Sequence, residues 1–133
     1  MRAVSYTHLD VYKRQDRAGR HDEAVRLLRR AIQMGLPDAL LFRTLWDIAS
    51  MEKKLGRDDA ALEAVTELAG TRNPYRVRAL EALAKHYEHR ERNYAMALEM
   101  TRTARAMEDT PAIRRRETRL KTRLERPLPL QLR

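Results

Sequence analysis

Three prolines punctuate this chain at equal distance: Pro37, Pro74 and Pro111 stand 37 residues apart. Each closes an amphipathic stretch that opens on related residues. The openings are Gly19-Arg20-His21-Asp22-Glu23-Ala24, Gly56-Arg57-Asp58-Asp59-Ala60-Ala61 and Arg92-Asn93-Tyr94-Ala95-Met96-Ala97. A period of this size marks stacked helical hairpins, each of which buries its apolar face only against its neighbours. The product of such stacking is a surface, not a reaction centre.

The apolar spacing within each period is helical. Ala24, Leu27, Leu28, Ala31 and Ile32 form one stripe and predict a helix from Arg20 to Met34, closed by Gly35 and Pro37. Leu41, Leu45, Ile48 and Ala49 predict a second helix over Asp38 to Leu55, with Phe42 and Trp46 on an adjoining face. Ala61, Leu62, Val65, Leu68 and Ala69 predict a third from Asp58 or Asp59, ended by Gly70 and the turn opener Asn73-Pro74. Leu80, Leu83, Ala84 and Tyr87 place a fourth over Tyr75 to Arg90; Ala97, Leu98, Thr101 and Ala104 a fifth over Tyr94 to Met107. A sixth, basic helix runs from Pro111 to Glu125 with Ile113, Leu120 and Leu124 as its apolar stripe. Pro127 and Pro129 then end helicity. The fold class is all-α, and the four glycines read as punctuation at helix ends.

Composition narrows the function. The chain has no cysteine, which removes disulfides, thiolate metal sites and a cysteine nucleophile, and fits a cytoplasmic setting. No apolar run approaches the roughly 20 residues that span a bilayer, so no membrane role is expected. The net charge of +9 is unevenly placed: residues 111–133 hold eight Lys/Arg against two Asp/Glu, whereas residues 16–110 are near neutral. The asymmetry points to an acidic partner for the C-terminal arm more than for the whole chain.

Residues 1–15 read differently from the rest. Val4 to Gln15 back-translates to a DNA string that is nearly its own reverse complement and resembles two transposon mosaic ends joined tail to tail. The segment is therefore expected to be an adapter-derived, non-native piece. The alternative is a genuine strand, since Val, Tyr and Thr favour extended chain. On the adapter reading the native protein continues upstream, and the first helix is the surviving half of a hairpin. The expected organisation is a non-native segment 1–15, a repeat region 16–110 of one orphan helix and two hairpins, a basic capping helix 111–126 and a frayed tail 127–133. The orphan helix offers an apolar stripe available to a second copy of the chain, which leaves the oligomeric state open.

The repeat residues resemble the tetratricopeptide repeat. Leu45, Ile48-Ala49, Ala61, Leu68 and Pro74 follow its pattern in one hairpin. Leu80, Leu83-Ala84, Tyr87, Ala97, Ala104 and Pro111 follow it in the next. Small residues stand where helices cross closely. Three departures are a period a few residues longer than the usual roughly 34, Glu52, where the pattern has a tyrosine, and Leu68, where it has a small residue. The resemblance implies a non-catalytic α-solenoid that binds a protein or peptide. A narrower likeness joins Tyr87-Glu88-His89-Arg90, Asn93-Tyr94, Ala97-Leu98, Arg119-Leu120 and Arg123-Leu124 to the C-terminal helical region of bacterial proteins with an RNase H-like, DEDD-type exonuclease domain. That family's metal-binding carboxylates would lie upstream, so no catalytic residue transfers to this chain.

No constellation for chemistry is readable. His86 and His89 lack the further ligands that zinc needs. Glu88 and Glu91 sit in a charge run of mixed sign, read as a solvated, self-paired face. His89 is expected to help close the turn between the fourth and fifth helices. No catalytic, cofactor or metal residue is assigned, and no cofactor is expected. Two candidates for binding stand out. Phe42 and Trp46 form either core or a partner-binding pair, tryptophan being favoured at interface hot spots. Arg114, Arg115, Arg116, Arg119, Lys121 and Arg123 form either the solvated face of a cap, a nucleic-acid contact, or a contact to another acidic partner.

Overall fold

A computed structural model describes the backbone of residues 2–126 and the side chains of residues 14–126. It contains six helices: α1 (Arg2–Met34), α2 (Asp38–Lys54), α3 (Asp58–Ala69), α4 (Arg76–His89), α5 (Tyr94–Met107) and α6 (Pro111–Glu125). Strands are absent among the described residues. The fold class is all-α, as expected. The expected frayed tail 127–133 lies outside the described residues. Two compact units, Met1–Ala64 and Val65–Arg133, divide the chain within α3.

In the first unit α1 packs on α2. Asp38 opens α2, where the helix dipole favours a negative charge, and Lys53 and Lys54 close it. Gly56 follows at φ +78°, a left-handed conformation that ends the helix without Cβ strain. Gly35 does the same after α1 at φ +95°. The buried residues of α2 are Thr44, Leu45, Ile48, Ala49 and Glu52. They form one face at i, i+1, i+4, i+5 and i+8.

Two expectations for α1 are corrected. The helix starts at Arg2, not Arg20, and residues 2–19 are neither strand nor irregular. Once a nucleus exists at residues 20–34, extension adds one hydrogen bond per residue fixed, and nothing before Gly19 interrupts it. Gly19 accordingly lies inside the helix, not at an end, with open space around the position of a Cβ. The side chains of residues 14–20 are all exposed. The buried stripe is also rotated by part of a turn. Val25 is buried at 2% exposure, while Leu27 stands 63% exposed. Val25, Leu28 and Ile32 repeat at i, i+3 and i+7, a spacing as helical as the expected one; the position of α2 selects between them. Among the described residues, Leu27, Met34 and Leu40 are the large exposed apolar residues of this unit.

In the second unit α4 packs on α5 and α5 on α6. Its turns are specified by side chains. Asn73 donates to the Leu68 and Thr71 carbonyls and accepts from the Tyr75 amide, while Arg76 Nε donates to the Ala69 carbonyl at the end of α3. Asn93 caps α5 by accepting from the Met96 amide at 3.1 Å. Thr110 caps α6 by accepting from the Ile113 amide at 3.2 Å, with Pro111 in the first turn, where its missing N–H costs nothing. Ala79, Ala84, Ala97 and Ala104 are fully buried, which lets the helices approach closely. Leu98, Ala97 and Leu120 form an apolar cluster against which Tyr87 and Tyr94 pack. The sole buried hydroxyl on α5, Thr101, donates to the Ala97 carbonyl at 2.7 Å. Of the expected α6 stripe, Ile113 and Leu120 are buried but Leu124 is 45% exposed, so this helix rests on two apolar side chains.

Candidate functional site

On α2, Phe42 and Trp46 follow one another at i, i+4 on the flank of the buried face, and both are half-buried. That burial is intermediate between the two readings, core and surface.

On the same helix lies a group that sequence reasoning missed. Glu52, where the repeat pattern has a tyrosine, is buried at 3% exposure and held by two arginines. Arg29 of α1 donates to it at 3.0 Å and Arg57 at 3.2 Å. Arg57 also donates to Asp22 at 2.7 Å, so one guanidinium bridges α1 and α2. That hydrogen bond is the main reason the Asp22 carboxyl titrates below its ordinary value and the Arg57 guanidinium above its own. A buried carboxylate with two partners replaces an aromatic ring and fixes the approach of α1 to α2.

The basic helix shows the same device. Glu88, expected on a solvated charge run, is instead buried at 6% exposure. Both its oxygens accept from Arg119 of α6, through Nε and Nη2, each at 2.8 Å. Arg116 Nε lies 3.6 Å from the same carboxylate, buried and without a hydrogen-bond partner. The Arg119 hydrogen bonds above all hold the Glu88 carboxyl below the usual glutamate value, against the opposing effect of its burial. Glu88 in turn raises Arg119. A reciprocal contact comes from α6 itself: its Glu117 accepts from Arg105 of α5, with Arg102 at 3.7 Å. Carboxylates and guanidiniums thus alternate across the α6 seam.

The six cations of the arm are therefore not equivalent. Arg116 and Arg119 are turned to Glu88. Arg114 lies 3.4 Å from Asp109. Arg123 is stacked over the Tyr94 ring at 4.6 Å, a cation–π contact within α5 and α6. Arg115 and Lys121 are exposed, and neither has a hydrogen bond or ion pair among the described residues. The structure brings Arg114, Arg115 and Arg119 to one outer hollow and separates Arg116 and Arg123 from it.

The histidines take structural positions. His86, not His89, closes the turn after α4: its Nε2 lies 2.6 Å from Glu91, its ring meets Tyr87 edge-on, and the Asn93 amide donates to the Tyr87 carbonyl. His89 is exposed beside Glu88. Among the described residues no three His, Asp or Glu side chains converge as a metal ion would require, and no helix is long and apolar enough to cross a membrane.

Comparison with known proteins fits this geometry. No curated protein and no solved structure matches the chain. The family model described as the tetratrico peptide repeat matches residues 9–113, most of the chain and nearly all of its helices. Helical hairpins, buried alanines at the crossings, and a match of that extent lead to one conclusion: the protein belongs to the tetratrico peptide repeat family, helical-repeat modules that mediate protein–protein interaction.

Proposed function

We propose that this chain is a non-catalytic scaffold that binds a peptide segment of a partner protein along α2, with Phe42 and Trp46 as anchors. The observation that carries the reading is the half-buried aromatic pair at i, i+4 on α2, a helix whose Glu52 accepts hydrogen bonds from Arg29 and Arg57. Aromatic anchors on a preorganised support contribute most of the affinity in such interfaces. The same proposal places the chain in the cytoplasm, as an accessory module to a domain upstream, an RNase H-like exonuclease domain included. It also takes residues 1–15 as adapter-derived. The genomic DNA upstream of Asp16 tests those two points.

The binding reading is tested by selecting displayed peptides against the whole chain. Trp46 is the only tryptophan, so its emission reports contact directly. Selected peptides are expected to shift Trp46 emission and to lose at least about tenfold in affinity for Phe42→Ala, as hot-spot truncations do. Peptides that bind Phe42→Ala and Trp46→Ala as tightly as the parent would remove α2 from the interface.

A further inference from the structure

The inward face of α6 carries Ile113, Arg116, Glu117 and Leu120. Helical spacing puts Pro111, Arg115, Thr118, Arg119 and Thr122 on the opposite face, flanked by Arg114 and Lys121, and all seven are exposed. Pro111, Arg114, Arg115, Thr118 and Arg119 line a shallow hollow of about 560 Å³. No acid stands on this face from Pro111 to Thr122, because Glu117 is turned inward onto Arg105. A cap selected for solubility alone carries both signs interspersed. This face carries one sign, a hydroxyl in its middle and no aromatic ring.

We infer that the outer face of α6 docks an acidic peptide segment of a partner protein, with Arg115 as its anchor. The inference rests on the interaction-module reading but uses a surface separate from α2. Among the described residues no partner engages the exposed Arg115 guanidinium, and its fork matches a carboxylate side-on through two parallel hydrogen bonds. Arg114 and the Thr118 hydroxyl add donors on either side. Arg119 contributes its remaining Nη1, since Nε and Nη2 are committed to Glu88. The internal carboxylates decide between partners. Glu88 and Asp109 already offset Arg119 and Arg114, so the face offers few free charges. Affinity for a duplex grows with the number of phosphates neutralised. A single strand would need stacking rings, and none is present on α6. A short acidic segment asks for neither.

The test uses the full chain and fluorescein-labelled decaglutamate, followed by anisotropy while salt is raised from about 50 to about 200 mM. Arg115→Glu is compared with Lys85→Glu, an exposed residue of α4 with the same change of charge. Circular dichroism confirms that both variants keep their helices. Decaglutamate is expected to bind at low salt, with at least about tenfold loss for Arg115→Glu and less than about twofold for Lys85→Glu. Absence of binding at low salt, or equal loss in both variants, overturns the proposal. Tighter binding of a duplex of about 20 bp, abolished by Arg115→Glu, reassigns the face to nucleic acid and also overturns it. A selected peptide that needs Trp46 while decaglutamate fails to bind leaves the module reading standing and removes this one alone.

Discussion

Arg116 is placed to take over when Arg119 is lost, and that makes a sharp prediction about how α6 is held. Arg119→Ala removes two charge-assisted hydrogen bonds from Glu88. Such bonds contribute about 1.5–3 kcal/mol each when buried. Arg119 is 49% exposed, however, which puts its pair toward the weaker, solvent-screened end. Arg116 Nε, 3.6 Å away and unpartnered, needs only a small rotation to donate to the freed oxygen. The single variant should therefore cost about 2 kcal/mol, and Arg116→Ala about 1 kcal/mol or less, because it also removes an unsatisfied buried donor. With both gone, Glu88 is left buried beside exposed His89 alone, a loss of the kind that costs about 3–5 kcal/mol. The double variant should exceed the sum of the singles by about 1 kcal/mol. Urea unfolding followed by circular dichroism gives the cycle, and amide exchange in residues 113–124 locates the loss. Additivity within about 0.5 kcal/mol would refute the backup role and with it the account of the orphaned Nε.

Four further outcomes follow from the same structure. Glu88 titrates below its unfolded value, so its stabilisation is complete above the ordinary glutamate range and is lost as pH falls through the folded value; the Arg116→Ala/Arg119→Ala variant should show a flatter acid limb in urea midpoints measured from about pH 6 to about pH 3. Among the described residues, Arg92 is the non-glycine residue with positive φ, at +53°, on an exposed turn; Arg92→Gly should stabilise by about 0.5–1 kcal/mol, read as a raised urea midpoint. Ala84 is fully buried where α4 meets its neighbours, and Ala84→Leu should destabilise by about 1–3 kcal/mol or unfold the second unit, whereas a neutral result would show that the crossing tolerates bulk. Deleting residues 1–15 should leave the unfolding free energy from urea titration within about 0.5 kcal/mol of the parent, since the side chains of residues 14–20 are exposed and the Asp16–Arg20 pair is a surface one; a larger loss would argue against an adapter origin.

Much of the architecture was legible because proline and glycine act locally. Thr110-Pro111 and Asn93-Tyr94 start helices by capping their own amides, so the bounds of α5 and α6 follow from a few neighbouring residues. What was not legible depends on a partner distant in sequence. Whether α1 buries Val25 or Leu27 is settled by α2, because both belong to equally regular stripes. The two clasped glutamates were hidden for a related reason. Glu88 looked like one member of a charge run, while its partner Arg119 lies 31 residues away. A signal was nevertheless present. Leu45, Ile48 and Glu52 share one apolar row, Leu80, Ala84 and Glu88 another, and Arg116 falls between Ile113 and Leu120. A charged residue inside an apolar row is either a misreading of the helix or half of a buried pair. The functional candidates were less legible still. Which arginines of the arm remain uncommitted became visible only once Glu88, Asp109 and Tyr94 had claimed theirs.

Three residues, Glu108 to Thr110, join α5 to α6. With so short a tether, a terminal helix that lets go swings on its hinge and cannot diffuse away. Its own seam sees it at an effective concentration on the order of millimolar. A competing segment from another molecule at micromolar levels would lose that contest by about a thousandfold unless its intrinsic grip were correspondingly tighter. Partners are thus steered toward whatever α6 shows while seated, and what lies beneath it stays reserved for the chain itself.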